Sequence, residues 1–409
     1  MLTVLIPAHN EEDGIADAIE SLRAQSLVPD RIVVVADNCT DSTVEIAESL
    51  GVEVFASVRN ADKKAGALNQ ALDQMLNDED FFLIVDADTK IGVDFIRTAK
   101  DRLDNNPSLG AVGGLFYGDQ GGGLVGALQR NEYARYSRTL RHDESKVMVL
   151  SGTASMFRGG ALLKVAAERG RKLPGTLGQV YDTSALTEDN ELTIALKTLG
   201  FAMVSPQECN NITEVMASWG DLWKQRMRWQ RGAIENLKTY GVTETTRKYW
   251  FQQFAIGYGV LSILALAVLA VLTILAVDEY QFYSFWLGVT LVFMVERVVT
   301  VWKLGWQARL VALPLVIEIW YDIFIQSVFV RSVVESVSGR EEEWTREAPP
   351  RRRVLKTSIA TLALVALALN AGNFPTLASA TVFQALALIV GLNTILFAVL
   401  GSMKVTQTA

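Results

Sequence analysis

FFLIVDADT, residues Phe81 to Thr89, is the stretch whose reading decides the fold. Five consecutive apolar residues between polar neighbours suit a short strand buried on both faces, as in a parallel sheet covered by helices. Asp86 and Asp88 follow where that strand ends. Open α/β sheets bind their ligands at this edge. The acidic pair there has two readings: a turn or helix cap, or a hold of one or two oxygens on a divalent ion whose shell is completed by substrate phosphates. Magnesium or manganese fits the second.

Outward toward the N-terminus, Thr3 to Ile6 reads as a strand stopped by Pro7. NEEDG from Asn10 then opens a helix with Ile15, Ile19 and Leu22 at helical spacing. Arg31 to Ala36 is the next strand, and Thr40 or Asp41 can cap a helix from Val44 to Leu50. A strand over Val52 to Ser57 and a helix over Ala65 to Leu76 complete the approach to Phe81. This alternation predicts an α/β class with a mostly parallel sheet. It also brings Asp37 to the same sheet edge as Asp86. Asp37 is then a turn residue or a ligand contact, and Lys63 and Lys64 are solvated surface or phosphate partners.

Beyond the acidic pair, residues 110–123 are glycine-rich without the serine or lysine of a P-loop, and read as strand and loop with close backbone approach. Residues 124–141 form a basic amphipathic helix, with Arg130, Arg135 and Arg138 among Leu124, Leu128 and Tyr136. That pattern suits a surface helix or one lying on anionic lipid. In LTEDNELT, residues 186–193, Thr187 is an N-cap and Glu188 to Glu191 make a negative first turn. SWGDLWKQRMRWQRGAIENLKTY, residues 218–240, sets tryptophans among arginines as expected of a helix at lipid headgroups.

The chain has 409 residues, half of them hydrophobic, with net charge −7. Nothing in that balance points to nucleic acid. Two cysteines and two histidines exclude a disulfide scaffold and a thiolate or imidazole metal centre, so a metal here would be oxygen-bound. Apolar character concentrates after residue 245, where about 250–277, 282–302, 354–370 and 381–403 have spanning length. The stretch 310–333 holds Pro314, Glu318 and Asp322 between basic flanks and is expected to be interfacial or re-entrant. Met1 leads directly into LTVLIPAHNEE with no basic n-region. These features together predict an integral membrane protein whose soluble head and both termini are cytosolic. Its expected parts are a catalytic domain over 1–216, an interface helix over 217–245 and a transmembrane region over 246–409.

In order, IPAHNEE, ADNCTDST, KAGALN, DAD, TED and Q-x-x-R-W (Gln225, Arg228, Trp229) resemble family 2 glycosyltransferases of the GT-A fold, inverting enzymes. The last motif is similar to that of membrane-bound synthases of poly-N-acetylglucosamine, chitin, hyaluronan or cellulose. The resemblance implies that Pro7, Ala8, Glu11 and Glu12 border the nucleotide, that Asp37 bonds uracil, and that Lys64 and Asp86 approach the phosphates. It further implies Asp88 with Asp86 on Mg2+ or Mn2+, and Asp189 as general base with Glu188 beside it. Gln225 and Arg228 then lie at the departing diphosphate, and Gly152, Thr153 and Trp229 on the acceptor side. Charge agrees: a carboxylate accepts from the uracil N3–H, and a lysine balances diphosphate.

The expected activity moves a sugar from a UDP-sugar, UDP-GlcNAc or UDP-glucose by family, to a saccharide or polyprenyl-linked acceptor at the bilayer. A homo-oligomer is allowed. Polymer-secreting relatives carry membrane helices ahead of the catalytic motifs and none is read here, so processive synthesis and single transfer to a polyprenyl phosphate, protein or glycan both stay open. A non-enzymatic scaffold is the contrasting class; it leaves the ordered carboxylates unexplained.

Overall fold

The computed structural model describes residues 1–145, 147–276 and 284–338. Its elements begin with β1 (Leu2–Ala8), α1 (Ile15–Arg23), β2 (Arg31–Ala36), α2 (Thr43–Ser49), β3 (Glu53–Ala56) and α3 (Lys63–Met75). Then come β4 (Phe81–Val85), β5 (Lys90–Ile91), α4 (Phe95–Asn105), β6 (Leu109–Gly113), β7 (Leu115–Gly118) and α5 (Gly123–His142). The head closes with β8 (Ala154–Arg158), α6 (Gly159–Glu168), α7 (Glu188–Thr198), β9 (Ala202–Val204), β10 (Asn210–Thr213) and α8 (Trp219–Tyr240). After it follow α9 (Arg247–Ala276), α10 (Ser284–Thr300), α11 (Trp306–Ala312) and α12 (Leu315–Ser338).

Seven strands form the main sheet in the order β3-β2-β1-β4-β8-β6-β9. All pairings are parallel except those of β8, which runs antiparallel to both β4 and β6. Alternate residues of β4 enter different cores. Phe82 and Ile84 pack with Leu68 and Leu72 of α3, while Phe81, Leu83 and Val85 pack with Ile15 and Ile19 of α1 and Ile96 of α4. Two-faced burial is why the strand reads as an unbroken apolar run. Pro7 does not end β1. β4 registers with β1 only from Leu2 to Leu5, so a missing N–H beyond that point removes no ladder bond.

The order reverses between β1 and β4, since β2 and β3 lie to one side and β4 to the other. That switch point opens a crevice at the carboxyl ends of both strands. A smaller sheet, β5-β10-β7, lies beyond the main one, and its three strands carry too few residues for any period to show in sequence. The glycine-rich run does supply close approach: a Cβ on Gly114 would stand 2.9 Å from the Ala154 carbonyl.

The described chain forms two compact units, one of Met1–Ala217 with Arg228–Trp250, the other of Ser218–Met227 with the described residues from Phe251 on. In the second, Pro314 separates α11 from α12, so the stretch expected as one piece over 310–333 belongs to two helices. Arg297 of α10 pairs with Glu318 at 3.2 Å and Asp322 at 2.7 Å on α12. Trp219 and Trp223 pack edge-on against Phe324, with ring centroids 4.9 and 5.6 Å away. Both indoles are half-buried, used in packing between helices. Among the described residues no helix is long and apolar enough to cross a membrane. The spans expected over 354–370 and 381–403, residues 277–283 and the basic loop from Arg340 lie outside them.

Candidate active site

Four non-glycine residues of the described chain have positive φ: Asn10 at 57°, Asn38 at 50°, Arg59 at 49° and Lys63 at 54°. Asn10, Asn38 and Arg59 sit in the loops that follow β1, β2 and β3, and Lys63 opens α3, all at the crevice. Backbone strain concentrated there is held by side chains. Asn10 Oδ1 accepts from the Thr40 amide at 2.7 Å, and Glu12 Oε2 from the Ser42 amide at 3.1 Å. Glu12 thereby fastens the β1 loop to the β2 loop. Asp41 Oδ1 accepts from the Thr43 amide at 3.1 Å at the start of α2, but the N-cap position is Ser42, not the expected Thr40 or Asp41, and it makes no side-chain capping bond.

Lys64, in the first turn of α3, reaches Asp86 at 2.5 Å and Glu188 at 3.2 Å. It also donates to the Gly152 carbonyl at 3.4 Å. Gly152 in turn gives its N–H to Asp189 Oδ2 at 3.1 Å, and Asp189 Oδ1 accepts from the Asn190 amide at 2.7 Å. A Cβ on Gly152 would stand 2.9 Å from Asp189 Oδ2, so the approach needs glycine. The Asp86 amide donates to the Thr153 carbonyl at 2.9 Å, tying the acidic pair to the same segment. Lys64, Gly152, Glu188, Asp189 and Tyr181 line one pocket.

Burial raises Asp189 to about 6, helped by the Glu188 charge and opposed by Lys64. For Glu188 burial acts the same way, but Lys64, a backbone N–H and Arg228 outweigh it and hold the carboxyl below its ordinary range. Adjacent acids are thus driven apart, one kept ionised and the other poised as a base near neutral pH. Lys64 is held charged despite burial by Asp86 and Glu188. Glu11 is raised to about 7 by burial and then by Asp88, Asp86 and Glu214.

The donor chemistry fits a hard cation. Asp88 Oδ1 accepts from Thr89 Oγ1 at 2.9 Å and Thr213 Oγ1 at 3.3 Å, while no described residue donates to Oδ2. Asp86, Asp88 and Glu11 leave an excess of negative charge that a divalent ion would relieve. Among the described residues no three acidic, histidine or cysteine side chains converge as a closed ligand set. A magnesium-type site would need only one or two of these carboxylates, with its other positions left to water and phosphate.

Of the residues singled out in sequence, the structure gathers Lys64, Asp86, Gly152, Glu188 and Asp189, and places Glu11 and Asp88 beside Asp86 electrostatically. Pro7 and Ala8, the last two residues of β1, register with Val35 and Ala36 of β2, and Asp37 follows that strand directly. Arg228 acts on Glu188 through its charge, and Trp229 is 36% exposed. Gln225 belongs to the second unit, its Oε1 buried without a partner among the described residues. Thr187 stands at the N-cap position of α7 without a capping bond, and accepts from Asn236 of α8 instead. On α5, Arg138 is buried and Arg130 bonds the Asp119 and Gly121 carbonyls, so part of the basic face turns inward. Sequence reasoning missed Tyr181, clamped by Asn69 at both its N–H and its carbonyl, and Asn211, which accepts from Thr153 at 3.1 Å. The asparagine of KAGALN was the one available signal.

Comparison with known proteins agrees with this scaffold. Residues 3–165 match the model of Glycosyl transferase family 2. Poly-beta-1,6-N-acetyl-D-glucosamine synthase of Staphylococcus aureus (strain MSSA476) is 26% identical over 255 residues, 61% of this chain and 58% of the relative. The synthase of the same name from Staphylococcus epidermidis is 26% identical over 254 residues, 60% of this chain and 58% of the relative. The chain therefore spans less than two thirds of the length of these curated relatives. Among solved structures, a mannosyltransferase from Pyrobaculum calidifontis, in complex with GDP-Man and Mn2+, superposes with TM-score 0.54 at 17% identity, covering 83% of this chain and 88% of that one. The stretch that matches the family 2 glycosyltransferase model, residues 3–165, supplies most of the seven-stranded, mostly parallel sheet, and the fold is the GT-A α/β fold.

Proposed function

We propose that the chain is a membrane-attached inverting glycosyltransferase that moves a sugar from a UDP-sugar to a saccharide or polyprenyl-linked acceptor. One observation carries the reading. Asp189 is anchored by two backbone N–H groups, one on each oxygen, in the pocket where Lys64 joins Asp86 to Glu188. A carboxylate has about four lone-pair positions, so one per oxygen is left for an acceptor hydroxyl. Asp189 takes that proton as the hydroxyl oxygen bonds to the anomeric carbon, and the sugar's bond to the diphosphate breaks on the opposite face. Lys64 and Arg228 offset the charge gathering on the departing UDP. A divalent ion on Asp88, with Asp86 beside it, would neutralise diphosphate charge when bound. The polysaccharide synthases named above favour a growing saccharide as acceptor, and N-acetylglucosamine as the sugar to try first.

The test is UDP release by the purified full chain in lipid, with UDP-GlcNAc or UDP-glucose and an oligosaccharide, with and without EDTA. Release that EDTA abolishes is expected; no release from any donor would end the proposal. Product length then separates a ladder of oligosaccharides from a single added sugar.

A further inference from the structure

Asp37 is 7% exposed, and three side-chain donors converge on one of its oxygens. Ser57 Oγ donates to Oδ1 at 2.7 Å, Asn60 Nδ2 at 2.8 Å and Asn38 Nδ2 at 3.0 Å. Asn60 is itself fixed, since its Nδ2 also donates to the Lys63 carbonyl at 2.7 Å and its Oδ1 accepts from the Asp62 amide at 3.0 Å. Asn38 likewise donates to the Asn60 carbonyl at 3.0 Å. Among the described residues nothing donates to Oδ2. The carboxylate therefore offers a ligand one oxygen, because the other is already crowded with donors.

We propose that Ser57, Asn60 and Asn38 set the choice of nucleobase by leaving Asp37 a single accepting oxygen. This rests on the reading of a nucleoside diphosphate donor in the cleft, and adds what selects its base. Uracil presents one ring N–H between two carbonyls, which a single oxygen satisfies. Guanine presents a ring N–H and an amino group side by side, a pair that wants both oxygens of a carboxylate. With Oδ1 taken, one guanine donor is left buried and unpaired. Cytosine turns a ring-nitrogen lone pair toward the carboxylate and is rejected by repulsion. Ser57 and Asn60 lie 20 and 23 residues from Asp37, so no local motif announces them.

Calorimetry on the full chain with Mn2+ tests this, titrating UDP, GDP and CDP into the wild type, Asn38→Gly, Ser57→Ala and the double variant. The wild type should bind UDP at least about tenfold more tightly than GDP or CDP. Asn38→Gly, which keeps the positive φ available, and Ser57→Ala should each narrow the UDP-to-GDP ratio, and the double variant should narrow it most. Equal binding of UDP and GDP by the wild type, or a ratio unchanged in folded Asn38→Gly, overturns the inference. Should the double variant fail to fold, the wild type and Asn38→Gly still decide. Selective UDP binding without sugar transfer would sink the proposed function and leave this inference standing. Transfer from UDP- and GDP-sugars alike would do the reverse.

Discussion

At Asp189 the geometry makes a claim about pH. Its carboxyl is raised to about 6, and as a base it must be ionised. Transfer should fall as pH drops through about 6, tenfold per unit below it, in a profile of kcat/KM with saturating metal. An acid limb near 4 would show that another group takes the proton. Gly152→Ala should lower kcat about 100-fold, because the new methyl displaces the Asp189 carboxylate while UDP binding is unchanged. An alanine variant of full activity would remove Gly152 from the base's support. At this scale the sequence was readable where a residue type and its place at a strand end spoke together, as for Asp37, Asp86 and Asp88. It was silent where meaning comes from a distant partner. Tyr181 bonds Asn69 across 112 positions, and nothing local in the 170–187 loop announces it. Glu12 also ties the β1 loop to the β2 loop, a contact across 30 positions that no motif announces.

Among the elements, α7 does more than present a base. Asp189, Thr193 and Lys197 recur every fourth residue and so share one face. Down that face they bond Gly152, Leu150 and the Val147 and Met148 carbonyls in turn. The segment from Val147 to Gly152, proposed to face the acceptor, thus rides along the helix. Lys197 is pressed down to about 8 by burial and by Lys248, yet still donates to Tyr249 at 2.7 Å. Lys197→Met should free the far end of the segment and raise the acceptor KM more than it lowers kcat; an unchanged KM would show that the segment holds without it. On the other side, Arg169 and Glu191 form an ion pair at 2.5 Å, both fully buried, with Tyr240 of α8 on the same carboxylate. Glu191→Gln should destabilise the head by about 3–5 kcal/mol in denaturant melts, because it leaves a buried guanidinium uncompensated. Loss of less than about 1 kcal/mol would show that the pair is not carrying α7. The central strands and flanking helices were legible because their apolar periods are long enough to score. The reversed direction of β8 and the whole β5-β10-β7 sheet were not, since strand direction and pairing across 95 to 122 residues leave no period in the chain.

For the molecule as a whole, acid strain and attachment make separate predictions. Glu11 and Asp189 bind protons more tightly folded than unfolded, with folded values of about 7 and about 6 against ordinary values of 4.5 and 3.8. Their contribution to stability therefore falls as pH rises from about 4 to 7. The metal-free protein should melt higher at pH 6 than at pH 8, and manganese should narrow the gap by relieving Glu11. A melt that rises from pH 6 to 8 would contradict the crowding of these acids. The uncharged run from Tyr249 to Val277 motivates the membrane proposal, so the full chain should stay with lipid through an alkaline carbonate wash. Release into the wash would oppose it.

The central claim is that one carboxylate activates the acceptor in a cleft that binds the donor without its help. Asp189→Asn keeps the shape and removes the base. Measured in lipid with Mn2+, UDP binding by calorimetry should stay within about threefold of the wild type while sugar transfer falls by about 100-fold to 10,000-fold. Transfer at the wild-type rate by that variant, with UDP bound as before, would contradict the account.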